Sequence, residues 1–183
     1  MRYRDITEAK RLPQHGLFET DQVVPTLYHG SRRRFRVGTI LRAQRYGYAH
    51  GSGYPAFEKR VRKMCEDFLE EFRPANAIPR RSALFMVDDP SIIDAVGGYE
   101  DYVYEVQPIG PVTRCNLYWY SDLEGYCMGL EGRPEHAHMG QVMDMAKGYW
   151  RASTNDIDAP VRDQMEYLAQ SARVIALHSS SLL

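Results

Sequence analysis

The chain has 183 residues, of which 44% are hydrophobic, with 23 Lys and Arg against 24 Asp and Glu. This length suits one domain, so we expect a single domain over residues 1–183. No apolar run approaches the roughly 20 residues of a membrane-spanning helix, and no apolar segment of a secretory signal follows the charged N-terminus. The composition therefore predicts a globular protein of the cytoplasm.

The charges are unevenly distributed along the chain. Residues 1–81 carry 17 Lys and Arg against 9 Asp and Glu, whereas residues 82–183 carry 6 against 15. Basic runs at 32–36, 59–63 and 80–81 are suited to contact the phosphates of a nucleotide or a nucleic acid. The alternative is that each run faces water and pairs with acidic side chains.

Hydrophobic periodicity predicts the secondary structure. In chain order we expect strands over 23–29 and 37–41, a loop over 43–56, a helix over 57–72, strands over 82–87 and 101–107, helices over 141–150 and 158–170, and a strand over 172–177. A short helix follows the 82–87 strand, with Asp88 or Asp89 as its cap, Pro90 as its first residue and Gly97-Gly98 at its end. Strands and helices follow each other without regular alternation, which favours an α+β domain.

His29 is the first candidate functional residue, because it stands at the end of a predicted strand beside Gly30. An imidazole there can donate or accept a hydrogen bond, and a glycine allows a ligand to approach the backbone. A structural role for His29 in the turn is the alternative.

Three segments resemble the ADP-ribosyltransferase-like superfamily. The first is Leu27-Tyr28-His29-Gly30-Ser31 followed by Val37-Gly38-Thr39-Ile40. The second, residues 82–95, looks like the second core strand and the helix after it, and the third, residues 102–112, is similar to a later strand and Gly-Pro turn of rifampin ADP-ribosyltransferases. The resemblance implies a split, mixed β-sheet core with flanking helices, and NAD as the substrate.

The resemblance also implies roles for individual residues. His29 would bind the ribose of NAD, within a cofactor-binding segment of Tyr28, Gly30, Ser31 and Arg32. Phe85, or its neighbour Leu84, stands where the family usually has a tyrosine that packs on the nicotinamide, and Phe85 keeps the ring but lacks the hydroxyl. The run at 32–36 could hold the pyrophosphate.

The catalytic carboxylate does not follow from the rifampin-type pattern. The rifampin-type aspartate follows the Gly-Pro turn, but residues 113–116 contain no carboxylate. Segments at 149–150, 165–168 and 172–175 resemble the C-terminal part of bacterial and phage ADP-ribosyltransferase-like domains, in which a glutamate precedes the last strand. This indicates Glu166, for which an i,i+4 surface ion pair with Arg162 is the competing explanation.

We therefore expect an NAD-dependent ADP-ribosyltransferase that modifies a macromolecular acceptor, either protein or nucleic acid, in the setting of a toxin or a phage effector. An RNA 2′-phosphotransferase is one alternative, and it requires Arg32, Arg36, Arg80 and Arg81 to converge on an RNA phosphate. A non-catalytic binding domain on the same fold is the other. We expect no metal site, because the three cysteines are widely spaced and because Glu135, His136 and His138 lack further ligands.

Overall fold

The computed structural model describes residues 25–43, 56–131, 133–151 and 164–180. Within these ranges the chain forms three α-helices, α1 (Ala56–Glu71), α2 (Leu117–Gly129) and α3 (Met139–Arg151). It also forms seven strands: β1 (Leu27–Ser31), β2 (Ile40–Arg42), β3 (Leu84–Val87), β4 (Tyr102–Pro108), β5 (Val112–Asn116), β6 (Met165–Ala169) and β7 (Ser171–Ser180). The α+β class is confirmed. No helix in these ranges combines the length and the apolar character needed to span a membrane.

The seven strands form one sheet in the order β2-β7-β4-β1-β3-β6-β5. All six neighbouring pairs are antiparallel, so the expectation of a mixed sheet is wrong for the described strands. The contact between β1 and β3 contains a single registered pair, Tyr28 with Val87, whereas β1 and β4 share five. We call this contact the seam, because it joins a four-stranded half of the sheet to a three-stranded half.

The three helices pack against the β3–β6–β5 half of the sheet. Phe85, Cys115 and Leu168 project from these strands into a core that includes residues of all three helices. A second cluster, built mainly from strand residues such as Leu84, Met86 and Tyr167, alternates with the first along the chain. The alternation follows from the strand period of two, which sends successive side chains to opposite faces.

Several predicted elements are confirmed. The predicted 57–72 helix corresponds to α1. The predicted strands over 82–87 and 101–107 correspond to β3 and β4, and the predicted 172–177 strand lies within β7. Asp89 caps a 3₁₀ turn that begins at Pro90, where its side chain accepts a hydrogen bond from Ser91 N at 2.9 Å. Most of the predicted loop over 43–56 lies outside the described residues.

Two elements differ from the prediction. The predicted helix over 158–170 is wrong in its second half, because residues 165–169 form β6, which lies between β3 and β5 and is buried throughout. An interior strand that is buried on both faces lacks the apolar–polar alternation of a half-exposed strand, so its sequence does not distinguish it from a buried helical segment. Helix α2 was not predicted, although Asn116 caps it by accepting a hydrogen bond from Tyr118 N at 3.0 Å.

Candidate functional site

His29 lies half-buried in β1, and its imidazole reaches across the seam. Nδ1 is 2.9 Å from the backbone oxygen of Phe85 in β3. A carbonyl oxygen only accepts hydrogen bonds, so Nδ1 carries the proton. Burial lowers the pKa of His29, although the Phe85 carbonyl opposes this shift. His29 is therefore neutral at pH 7, and its Nε2 is a hydrogen-bond acceptor.

Gly30 and Ser31 have structural roles at the end of β1. A Cβ atom at Gly30 would lie 2.4 Å from Ile93 Cγ2 and 2.5 Å from the backbone oxygen of Tyr99. The space beside Gly30 is thus filled by the segment that follows β3. Ser31 Oγ accepts a hydrogen bond from Arg33 N at 3.0 Å and stabilises the turn after β1.

The arginines that follow β1 lie at the surface. Arg32, Arg33, Arg34 and Arg36 are all exposed, and the Arg32 guanidinium lies 4.0 Å from the ring centroid of Tyr99. Tyr28 is half-buried, and its ring meets the ring of His178 edge-on at 4.8 Å. The exposed arginines are accessible to an anionic group of a ligand.

Phe85 and Glu166 meet at a residue for which the sequence analysis proposed a different role, Arg80. Arg80 belongs to a 3₁₀ helix, Arg80–Ser82, and is only 3% exposed. Its guanidinium lies 4.8 Å from the Phe85 ring centroid, 4.6 Å from that of Tyr120 and 5.1 Å from that of Tyr149. Three aromatic rings therefore surround one buried cation, at distances suited to cation–π attraction.

Two buried carboxylates bind the same guanidinium. Arg80 Nε donates to Glu66 Oε1 at 3.0 Å and to Oε2 at 3.2 Å, and Arg80 Nη1 binds Glu166 Oε1. Both glutamates are 0% exposed. Burial acts to lower the pKa of Arg80, but the charges of Glu166 and Glu66 outweigh it and hold that pKa well above its usual range. We refer to Glu66, Arg80, Tyr149 and Glu166 as the Arg80 cluster.

The two oxygens of Glu166 have different surroundings. Oε1 accepts hydrogen bonds from Arg80 Nη1 and, at 2.7 Å, from the Tyr149 hydroxyl. Oε2 is buried and has no hydrogen-bond partner within the described residues. Burial raises the pKa of Glu166, while the Arg80 charge and the Tyr149 hydroxyl oppose the rise. Arg162, the competing partner of Glu166, lies outside the described residues.

The predicted site residues are thus linked through the seam. His29 binds the backbone of Phe85, the Phe85 ring packs on Arg80, and Arg80 binds Glu166. In the sheet register, Tyr28 pairs with Val87 and Val87 with Glu166, which places β1 and Glu166 two strand spacings apart, or roughly 10 Å. His29 is the next residue of β1, so its side chain lies on the opposite face of the sheet from those of Phe85 and Glu166, and it reaches Phe85 through the backbone oxygen.

Sequence reasoning missed the roles of Glu66, Arg80 and Tyr149. The sequence predicts a basic pair at Arg80-Arg81 that is suited to phosphate, but Arg81 binds Asp67 at the surface and Arg80 is buried. No local signal in the sequence distinguishes Glu66, which lies on the buried side of α1 beside Cys65. Glu135, His136 and His138 are exposed, and the described residues contain no group of three or more potential metal ligands.

The comparisons with known proteins do not identify a family. No protein-family model matches this chain, and no curated protein matches its sequence.

Proposed function

We propose that this protein is an NAD-dependent ADP-ribosyltransferase of the ADP-ribosyltransferase-like fold, with Glu166 as its catalytic carboxylate. The observation that carries the proposal is the orphan oxygen of Glu166. Oε1 is bound by Arg80 and Tyr149, while Oε2 is buried without a partner among the described residues. Buried polar atoms almost always have a hydrogen-bond partner, so an unpartnered carboxylate oxygen suggests a ligand.

The charge of the Arg80 cluster supports the same reaction. Two buried carboxylates face one guanidinium, which leaves the cluster with a net negative charge when both are ionised. Cleavage of the bond between nicotinamide and ribose develops positive charge on the ribose. A fixed negative group in a water-poor site stabilises such a charge, and it can also accept a proton from the attacking nucleophile.

The residues at the seam account for the ribose and the pyrophosphate of NAD in this proposal. The neutral His29 accepts a hydrogen bond from a ribose hydroxyl through Nε2, since Nδ1 is committed to Phe85. The Phe85 ring faces the helix-covered core and packs on Arg80, so the proposal gives it no contact with the nicotinamide. The exposed arginines from Arg32 to Arg36 bind the pyrophosphate.

The acceptor in this proposal is a macromolecule, either a protein or a nucleic acid, as in a toxin or a phage effector. Incubating the protein with labelled NAD and a cell lysate identifies it, because the label moves to a protein band or to a nucleic-acid fraction. Treating the lysate beforehand with protease or nuclease separates the two classes.

Binding of NAD is tested by calorimetry on the wild type, His29→Asn and His138→Asn. An asparagine amide can replace Nδ1 as the donor to Phe85 but provides no acceptor at the position of Nε2. We expect the Kd of His29→Asn to rise about 10-fold, the equivalent of one hydrogen bond of roughly 1.4 kcal/mol. His138 is exposed and serves as the control. Unchanged affinity in His29→Asn contradicts the assignment of His29.

One observation favours a second candidate, a non-catalytic binding domain on the same fold. Glu166 is 0% exposed and paired with Arg80, so a structural ion pair accounts for its position without catalysis. In that case a substitution of Glu166 does not change the affinity for NAD, and the protein releases no nicotinamide. The RNA 2′-phosphotransferase alternative requires four arginines, including Arg80, to bind an RNA phosphate. It loses support, because Arg80 is paired with the carboxylates of Glu66 and Glu166.

A further inference from the structure

We propose that Arg80 and Tyr149 are positioning residues, which hold Glu166 by Oε1 and so direct Oε2 toward the reacting ribose. The inference rests on the proposed function. Neither residue needs to contact the substrate, since both act through the carboxylate.

The support for Arg80 comes from α1. Glu66 binds Arg80 Nε through both carboxylate oxygens, and Glu70 Oε1 accepts a hydrogen bond from the backbone nitrogen of Arg80 at 3.0 Å. One helix therefore fixes both the backbone and the side chain of Arg80. This leaves the Nη1 end of the planar guanidinium directed at Glu166 and Tyr149.

The hydrogen bonds in the cluster have a single consistent direction. Arg80 Nη1 only donates, so the Tyr149 oxygen accepts from it, and the Tyr149 hydroxyl then donates its proton to Glu166 Oε1. Oε1 thus receives two donors, whereas Oε2 receives none within the described residues. Two donors from different elements fix the rotation of the carboxyl group and distinguish its two oxygens.

The packing around the support is rigid. Tyr149 is 0% exposed, and a Cβ at the adjacent Gly148 would lie 2.5 Å from the Trp119 ring, so α3 and α2 are in close contact there. Trp150 Nε1 donates to the backbone oxygen of Leu69 at 2.8 Å and ties α3 to α1. The Tyr149 hydroxyl is therefore held in place by elements on both sides. Preorganised groups of this kind stabilise a transition state without a reorganisation cost.

Tyr149→Phe tests the proposal, because it removes one donor to Oε1 and keeps the ring. We expect the Kd for NAD to stay within about twofold and nicotinamide release to fall by about 10-fold, the loss expected from one hydrogen bond of about 1.4 kcal/mol. Losing a donor to the ionised carboxylate raises the pKa of Glu166, so the acid limb of the rate profile should move to higher pH. Tyr120→Phe is the matched control, since Tyr120 contacts Arg80 through its ring.

A second readout needs no NAD. Protein labelled with ¹³C at the glutamate carboxyls is titrated by NMR, and the Glu166 signal is identified by its absence in Glu166→Gln. We expect the titration midpoint of this signal to rise in Tyr149→Phe. It should also rise in Arg80→Met and rise less in Arg80→Lys, because lysine keeps the positive charge. An unchanged midpoint in Tyr149→Phe overturns the positioning role, even when release is slower. If Tyr149→Phe shifts the midpoint but the wild type releases no nicotinamide, Glu166 is positioned as inferred and only the proposed function is overturned.

Discussion

Replacing Arg80 with methionine removes the charge that compensates Glu66 and Glu166. Both carboxylates are 0% exposed, and three hydrogen bonds join them to the guanidinium. Breaking a buried ion pair by deleting one partner typically costs about 3–5 kcal/mol, because the other charge stays buried without compensation. We expect the free energy of unfolding to fall by about this amount at pH 8, which is a large share of the roughly 5–15 kcal/mol of a typical domain.

The destabilisation should depend on pH. Burial raises the pKa of Glu166 and Arg80 opposes that rise, so Arg80→Met raises the pKa in the folded protein further above its unfolded value. A group whose pKa is higher in the folded state stabilises the fold at low pH and loses this contribution as the pH rises through the folded pKa. The deficit of Arg80→Met relative to wild type should therefore be smaller at pH 5 than at pH 8.

Urea unfolding followed by tryptophan fluorescence measures both the loss in free energy of unfolding at pH 8 and its change between pH 5 and pH 8. Trp150 is 3% exposed and packs edge-on against Tyr149 with 4.9 Å between ring centroids, so its emission reports on the packing of the cluster. Arg133→Met is the control, since Arg133 pairs with Glu131 at the surface and should lose less than about 1 kcal/mol. A loss below about 1 kcal/mol for Arg80→Met at pH 8, or an equal loss at pH 5 and pH 8, would show that Arg80 does not compensate the charges of Glu66 and Glu166.

Two further predictions concern the seam. Gly30→Ala should lower the free energy of unfolding by about 1–3 kcal/mol, because the new Cβ meets Ile93 and the backbone of Tyr99. Gly125→Ala, in α2 with open space around it, should be neutral or stabilising by up to about 1 kcal/mol, and equal urea midpoints for the two variants would contradict the packing argument. His29→Asn should reduce the gain in stability between pH 5 and pH 7.5, since a His whose pKa is lowered by folding stabilises the protein above pH 6.5 and less as the pH falls. Parallel stability curves for His29→Asn and wild type would show that His29 titrates alike in the folded and unfolded chains.

Local pattern was sufficient to predict much of the secondary structure. Phe57, Val61, Met64 and Phe68 recur at helical spacing and predicted α1 within a residue or two of its ends. Alternating side chains predicted β4, and the Asp-Pro signal predicted the turn after β3. These elements each have one buried and one exposed side or a strong local cap, and both features are visible in a short window of sequence.

Elements that are buried more completely were harder to predict. β6 is buried at every position, so its sequence lacks the alternation of a half-exposed strand. The buried residues of α2 are Leu117, Tyr120, Leu123 and Cys127, a helical spacing that the intervening aromatic residues obscure. Asn116, which caps α2, is the local signal that marks the start of this helix.

The site was predictable only in part. The resemblance brought His29, Phe85 and Glu166 forward, and the fold connects them through the Phe85 backbone and through Arg80. The Arg80 cluster was not predictable, because an ion pair among positions 66, 80 and 166 depends on the packing of α1 against the sheet. A basic dipeptide at 80–81 has the same local sequence whether its first arginine faces water or the core.

The most direct test of the proposed activity is nicotinamide release from NAD by wild type, Glu166→Gln and Glu124→Gln, with the folded fraction of each measured in the same buffer. Glu124 is half-buried and lies 3.6 Å from Arg62, which makes it a control for the same chemical change outside the Arg80 cluster. The proposal predicts release by wild type and Glu124→Gln and a loss of roughly 100-fold or more in a folded Glu166→Gln. Equal release by all three proteins contradicts the role of Glu166, and no release by any of them, together with no NAD binding, contradicts the transferase proposal.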